Sequence, residues 1–127
     1  CLLPEIPMPH LTLEYTRNLS GFEPAPALAA INHAMLDSGL FGEPDIKSRA
    51  QALDCYQVGI QALPRGFVHV RIALLAGRSA DERQKLAAAV LAALKLTVNA
   101  ENGAEIQLSV ETVDLDRPSY AKAVIHG

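Results

Sequence analysis

A proline preceded by a methionine, near the start of the chain, could serve as a catalytic base. Met8-Pro9 opens a strand-like run that continues from His10 to Tyr15. If translation begins at Met8 and that methionine is removed, Pro9 carries a free secondary amine. An α-amino group has a pKa of roughly 7.7 to 8.0, and burial or a nearby cation lowers it toward the range that suits proton transfer at neutral pH. The dipeptide therefore predicts an acid–base catalyst, on condition that the bond between Met8 and Pro9 is cut.

The residues in front of Met8 bear directly on that condition. They read Cys-Leu-Leu-Pro-Glu-Ile-Pro, and while they remain attached Pro9 has no basic nitrogen. This segment lacks the basic start and the long apolar stretch of a secretory signal peptide. We expect residues 1–8 to be an upstream or vector-derived extension that ends in the initiator methionine, and residues 9–127 to form a single domain.

Composition excludes several classes of protein. The chain has 127 residues, half of them hydrophobic and one fifth charged, which predicts a folded domain with a real core. Its net charge of -3 and scattered basic residues argue against nucleic-acid binding. No apolar run approaches the roughly 20 residues of a membrane span. The two cysteines form no disulfide framework or metal motif, so we expect a cytoplasmic protein, with Cys55 a buried structural thiol.

The same order of secondary-structure elements occurs twice along the chain. Alternating strands at residues 11–15 and 46–55 flank a helix that begins at residue 24 or 26 and ends at 38. Strands at residues 67–75 and 106–111 flank a second helix, which begins at Ser79 with a capping box to Glu82. Right-handed crossovers make each strand pair parallel. We expect an α/β (α+β) fold in which duplicated β-α-β units form a four-stranded sheet with two helices on one face.

The other face of that sheet is predicted to be polar. It could be solvated, or it could pack against further subunits. The chain's end, residues 114–127, has no periodicity but includes Tyr120, Val124 and Ile125, which need apolar surroundings; this favours an oligomer. The side chains assigned to this face are Thr12, Glu14, Lys47, Arg49, His69, Arg71, Ser109 and Glu111.

Three segments, in order and spacing, resemble the 5-carboxymethyl-2-hydroxymuconate delta-isomerase family of the tautomerase superfamily. They are PHLTLEYTRN at residues 9–18, IKSR at 46–49 and FVHVRIALLAGRS at 67–79. The resemblance implies a tautomerase-like fold of β-α-β units and a homotrimer that needs no metal or organic cofactor. It also implies that Pro9 takes the proton from the 2-hydroxyl of a dienol and returns a proton to carbon 5, which gives the unsaturated ketone. The implied pathway is the breakdown of aromatic acids such as homoprotocatechuate.

The multiply charged carboxylate substrate of that family requires cations. Arg78 matches a site arginine of the family and precedes a helix N-terminus, so it is a candidate catalytic residue that binds carboxylate or stabilises a developing oxyanion. Arg49 and Lys47 are candidate substrate-binding residues, and His10, beside the base, could tune the pocket. The family pattern has arginine–serine–arginine where this chain has Lys47-Ser48-Arg49. A lysine there keeps the charge but loses the planar fork of a guanidinium.

Two other functions remain open from the sequence. Pro9 and Arg78 would also suit a tautomerase that acts on another enol or unsaturated acid. Alternatively, the fold could serve as a non-catalytic oligomeric binding module whose proline nitrogen stays blocked by the preceding residues. Neither alternative involves nucleic acid or a membrane.

Overall fold

The computed structural model describes residues 9–101 and 103–127, and it contains four strands and two helices in the predicted order. The predicted extension at residues 1–8 lies outside the described residues. Two short 3₁₀ helices lie at Glu43–Asp45 and Arg117–Ser119. The main elements are β1 (His10–Thr16), α1 (Pro24–Asp37), β2 (Lys47–Leu53), β3 (Arg65–Leu75), α2 (Ala80–Lys95) and β4 (Glu105–Leu115).

The four strands form one mixed sheet in the order β2-β1-β3-β4. β1 is parallel to β2, and β3 is parallel to β4, as the two β-α-β units predict. β1 and β3 join the units through an antiparallel pairing in which His10 lies opposite Ala73. Consequently β1 and β2 begin at the same end of the sheet at which β3 and β4 end. We call this the proline end, because Pro9 immediately precedes β1 there.

Both helices cover the same face of the sheet, which confirms the predicted fold class. In α2, Leu86, Val90 and Leu94 recur every four residues and are buried, which is the spacing of an amphipathic helix packed on a sheet. α1 begins with proline in its first turn, where a missing N–H costs no helical hydrogen bond. The core side chains between the layers are Leu11, Leu13, Ala27, Ile31, Met35, Val68, Val70, Ile72, Leu74, Leu86, Val90 and Leu94.

The opposite face carries the predicted polar side chains, and several of them interact. His69 Nδ1 lies 2.6 Å from Ser109 Oγ, and its Nε2 lies 2.5 Å from Glu111 Oε2. The hydrogen bond from His69 lowers the pKa of Glu111, and Arg71, 3.9 Å away, lowers it further. His69 is therefore a hydrogen-bonded strand residue on the predicted polar face.

Cys55 is exposed, and the prediction of a buried thiol is wrong. β2 ends at Leu53, two residues earlier than the alternating pattern suggested, so Cys55 lies in the connection to β3 and not in a strand packed on the core. Within residues 9–101 and 103–127, no helix has the length and apolar character of a membrane span.

The start of α2 gives a direct test of the capping box. Ser79 Oγ accepts a hydrogen bond from Glu82 N at 3.1 Å, and Glu82 Oε1 accepts one from Ser79 N at 3.0 Å. We expect Ser79→Ala to lower the free energy of unfolding by about 1 kcal/mol, because a first-turn N–H loses its acceptor. Ser79→Asp, which supplies another good acceptor, should retain most of the stability. Urea denaturation of the three proteins measures both effects, and equal stability of the alanine variant would contradict the cap.

Candidate active site

Pro9 is buried at the proline end of the sheet. Its carbonyl oxygen accepts a hydrogen bond from Lys47 N at 3.2 Å, which extends the β1–β2 pairing by one residue and fixes the proline at the start of β1. Alternation along the strand gives Pro9 the parity of Leu11 and Leu13, whose side chains face the helices. A free amine at this position would lie at the border between the apolar core and the proline end.

Arg78 lies at the same end of the sheet, in the loop that joins β3 to α2. Its Nη2 donates to the carbonyl oxygen of Leu40 at 2.9 Å, and its Cζ lies 5.6 Å from the ring centroid of Phe41. The aromatic face attracts the cation and holds the guanidinium plane. A guanidinium has five N–H donors, so this single hydrogen bond leaves donors that can bind an anion.

The N-terminus of α2 has fewer N–H donors available for an anion than its position suggests. The N–H of Glu82 is already bonded to Ser79 Oγ, and the hydrogen bond from the Ser79 backbone lowers the pKa of the Glu82 carboxyl, so this group is ionised beside Arg78. The capping box thus uses helix donors that could otherwise meet a ligand. An anion at this loop would therefore meet fewer helix N–H donors, and the guanidinium of Arg78 is the positive side chain available there.

The loop that carries Arg78 is held by a residue beyond β4. Arg117 Nε donates to the carbonyl oxygen of Ala76, and Ala76 N donates to Leu115 O at 3.1 Å. Gly77 has φ of 125°, and a Cβ at this position would lie 3.0 Å from Arg117 Nη2. Glycine is required here because an L side chain would be strained in that conformation and would meet the arginine.

A second group of cations lies on the polar face of the sheet, beside the start of β1. We call it the cationic cluster; it comprises His10, Lys47, Arg49 and Lys122. Arg49 Nη2 lies 3.0 Å from His10 Nδ1, and Lys47 Nζ donates to the backbone carbonyl of Asp45. Lys122 Nζ lies 3.3 Å from Asp45 Oδ1.

Tyr120 packs against the same histidine from the segment after β4. The two ring centroids are 6.5 Å apart at 68°, an edge-to-face arrangement, and the tyrosine hydroxyl lies 3.5 Å from His10 Nε2. An arginine is always a donor, so Arg49 donates to His10 Nδ1 and the neutral ring carries its proton on Nε2, toward Tyr120.

Burial and mutual repulsion lower the pKa values of side chains in the cationic cluster. Burial lowers the pKa of His10 below 6.5, and the charges of Lys47, Arg49 and Lys122 lower it further. Burial also lowers the pKa of Lys47, followed by repulsion from Lys122; Asp45 partly opposes these effects. His10 is therefore largely neutral at pH 7, and the cluster holds more positive than negative charge. Such an arrangement favours the binding of an anion.

The structure brings His10, Lys47 and Arg49 together, as their shared face predicts. Arg78 lies apart from them, on the helix side of the sheet against Phe41, although at the same end. Pro9 lies at the start of the strand between these two groups of cations. Within the described residues, no group of three or more histidine, cysteine, aspartate or glutamate side chains is arranged to hold a metal ion.

Sequence reasoning missed Lys122 and the place of Tyr120. Neither lies in a periodic segment or a motif, and Tyr120 was singled out only as a side chain that needs apolar surroundings. The one available signal was Lys122 itself, a cation in an otherwise apolar end of the chain, and it did not indicate a partner. Their contacts join residues as far apart as His10 and Tyr120 in sequence.

Solved structures place this fold in the tautomerase class. The chain is similar to a 5-carboxymethyl-2-hydroxymuconate isomerase from Deinococcus radiodurans R1, with 30% identity and a TM-score of 0.85 over 94% of this chain and 90% of that one. A 5-carboxymethyl-2-hydroxymuconate delta-isomerase shows 16% identity and a TM-score of 0.72 over 94% and 89% of the two chains. A fused 4-OT described as a symmetric trimer also has 16% identity and a TM-score of 0.72, over 90% and 91%. At 16% identity these last two structures show the fold alone.

The family model described as 5-carboxymethyl-2-hydroxymuconate isomerase matches residues 9–127. The chain belongs to this family, whose members are isomerases of the tautomerase superfamily. Among curated protein sequences, none matches the chain.

The electrostatics of the cationic cluster can be tested through His10. We expect its pKa to lie below 6.5 and to rise in Lys47→Met, since one repelling charge is removed while the effect of burial remains. NMR titration of the histidine ring signals measures this, with His10→Gln to assign the resonance. Lys85→Met, which removes an exposed charge paired with Asp81 on α2, should leave the His10 pKa unchanged. An unshifted His10 in the Lys47 variant would contradict the coupling.

Proposed function

We propose that this chain converts the dienol form of 5-carboxymethyl-2-hydroxymuconate to its unsaturated keto isomer, with the amine of Pro9 as the proton-transferring base. The observation that carries the proposal is the position of Pro9: it is buried at the end of the sheet that also holds Arg78 and the cationic cluster. Family membership supplies the reaction class. The family match begins at residue 9, which supports a free amine on Pro9.

The chemistry is a proton shuttle between two substrate atoms. The amine of Pro9 removes the proton from the 2-hydroxyl, negative charge spreads through the diene to carbon 5, and the protonated amine returns a proton there. Burial disfavours the charged ammonium form, so a neutral amine is available near pH 7. The hydrogen bond from Lys47 N to its carbonyl holds Pro9 at the start of β1, and the pyrrolidine ring restricts the position of the amine relative to that backbone. A base fixed in this way serves both proton transfers.

The two groups of cations bind different parts of the substrate. Arg78 has free donors for the oxyanion that develops on the substrate or for an adjacent carboxylate. Lys47 and Arg49 bind a further carboxylate on the polar side of the sheet, and His10 positions the Arg49 guanidinium through their hydrogen bond. Since Lys47 replaces the arginine of the family pattern, it contributes a point charge and not a bidentate fork.

We further propose a homotrimer in the cytoplasm, acting in the breakdown of aromatic acids. Trimeric structures with this fold support the assembly. Apolar side chains also support it, because Ile60 is 95% exposed and Ile125 is 93% exposed in the single chain. Sedimentation of the purified protein tests it: we expect a species of three chains at micromolar concentration, and a monomer would contradict the proposal.

Two alternative functions can each be distinguished from the proposed one by a single measurement. A tautomerase for a different enol is favoured by the lysine at position 47, and rates with a panel of muconate and pyruvate enols distinguish it. A binding module without activity requires a blocked proline nitrogen. Intact mass spectrometry of the protein from its own cell distinguishes this case, because a chain that starts at Pro9 supports the enzyme.

Pro9 gives the central kinetic prediction. In a chain processed to residue 9, Pro9→Ala leaves a primary amine of different basicity and geometry, and we expect kcat to fall at least about tenfold; general acid–base catalysis contributes about 10²- to 10⁴-fold in all. A chain that retains Met8 should lose nearly the whole of that contribution. The pH profile of kcat/KM should show a group that titrates near or below an ordinary α-amine. Unchanged turnover in both proteins would remove Pro9 from the mechanism.

Arg78 can be tested against a matched arginine. We expect Arg78→Ala to lower kcat/KM by about 10²- to 10³-fold, the usual effect of removing a donor to a developing oxyanion. Arg17→Ala, which removes an exposed arginine paired with Asp54 at the other end of β1, should leave both kinetic constants within about twofold. If the two variants behaved alike, the anion site would lie elsewhere.

A further inference from the structure

The segment after β4 crosses the proline end of the sheet and reaches both groups of cations. Arg117 bonds to the loop that carries Arg78, Tyr120 packs on His10, and Lys122 pairs with Asp45. We call residues 117–122 the C-terminal strap. Its contacts are made across long separations in sequence, so the strap is part of the tertiary structure at the proline end and does not merely follow the last strand.

Lys122 adds positive charge to the cationic cluster, where positive charge already exceeds negative charge. Lys47, Arg49 and Lys122 are three cationic side chains around His10, and Asp45 is the carboxylate that pairs with one of them. The side chains of Lys122 and Asp45 are only 25% and 19% exposed, so water screens these charges incompletely. A protein gains no stability by collecting like charges, and their accumulation here is explained if a bound anion neutralises them.

Tyr120 supplies a directed donor to the same place. Arg49 donates to His10 Nδ1, and the ring then presents its Nε2–H toward the tyrosine oxygen 3.5 Å away. With its oxygen acting as the acceptor, the hydroxyl hydrogen of Tyr120 points away from the ring and is free for a ligand. The strap thus brings one charge and one oriented hydroxyl to the cationic cluster.

We propose that Lys122 and Tyr120 complete a carboxylate subsite with Lys47 and Arg49, and that this subsite selects substrates that carry a second or third carboxylate over those that carry one. The inference rests on the proposed function for its place in catalysis. The carboxylate group farther from the reacting carbons would occupy this subsite, while Arg78 acts on the helix side of the sheet and Pro9 acts between the two groups.

Kinetics give the first test. We expect Lys122→Met to raise KM for the tricarboxylate dienol about tenfold or more, as for loss of a charged hydrogen-bond partner, with kcat within about twofold. The rate with a monocarboxylate enol such as phenylenolpyruvate should be unchanged. Lys122→Arg should retain the preference, Tyr120→Phe should lose part of it, and the distant Lys85→Met should have no effect. An equal loss on both substrates would overturn the selective role.

Ligand binding gives a test that does not depend on Pro9 as the base. Calorimetry on the chain that begins at Pro9 compares propane-1,2,3-tricarboxylate with butanoate. We expect the wild type to bind the tricarboxylate more tightly, and Lys122→Met to lose most of that difference. Equal binding of the two probes by the wild type, or a difference that survives in the variant, would overturn the subsite. Absence of isomerase activity alongside the expected binding would count against the proposed function alone.

Asp45→Asn separates a ligand role of Lys122 from a purely structural one. If the ion pair between Lys122 and Asp45 serves only to anchor the strap, both Lys122→Met and Asp45→Asn should weaken tricarboxylate binding. In the proposed subsite the effects have opposite signs, because removal of the Asp45 carboxylate leaves more uncompensated positive charge for the ligand. We expect tighter binding by Asp45→Asn, most clearly at low salt. Weaker binding by both variants would overturn the proposal.

Discussion

The antiparallel pairing of β1 with β3 is the constraint on which the candidate site depends. Each β-α-β unit by itself places its two parallel strands in the same direction, and the β1–β3 pairing sets the units in opposite directions. The start of β1 therefore lies next to the end of β3, and Pro9 and Arg78 reach the same end of the sheet although they are 69 positions apart in the chain. A parallel pairing of the units would have placed Arg78 at the opposite end from Pro9.

The sheet also separates the charges of the site into two groups. Arg78 lies on the helix side, where Phe41 and the Leu40 carbonyl hold it, and Arg49 and Lys47 lie on the polar side with His10. Period-two alternation places Lys47 and Arg49 of β2 on one face, whereas Arg78, in the loop after β3, is held on the helix side by Leu40 and Phe41. The proposed dienol substrate has carboxylates at both ends of a conjugated chain, and it would suit this division into two groups of cations better than a single cluster.

Local sequence patterns predicted most of the fold, but they did not predict the contacts between segments that are distant in sequence. Two features can be found from the sequence because each lies within a single helix. They are the buried stripe of Leu86, Val90 and Leu94 and the capping box at Ser79. The shared face of Lys47 and Arg49 follows from alternation alone. Cys55 was misplaced because the alternating pattern gives no sign of where a strand stops pairing. Lys122 was missed because its partner, Asp45, lies in a short 3₁₀ helix that no periodicity connects to the chain's end.

In the proposed carboxylate subsite, the C-terminal strap compensates for the lysine at position 47. Arginine at that position would offer a carboxylate two parallel hydrogen bonds, whereas the ammonium of Lys47 is already bonded to the Asp45 carbonyl and offers mainly charge. Lys122 adds a second charge at the same place, and Tyr120 adds a donor with a fixed direction. One guanidinium supplies both positive charge and directed hydrogen bonds. Here three side chains supply them instead. Because two of the three come from the strap, and Arg117 of the same strap holds the Arg78 loop, the two groups of cations are positioned by one segment of the chain.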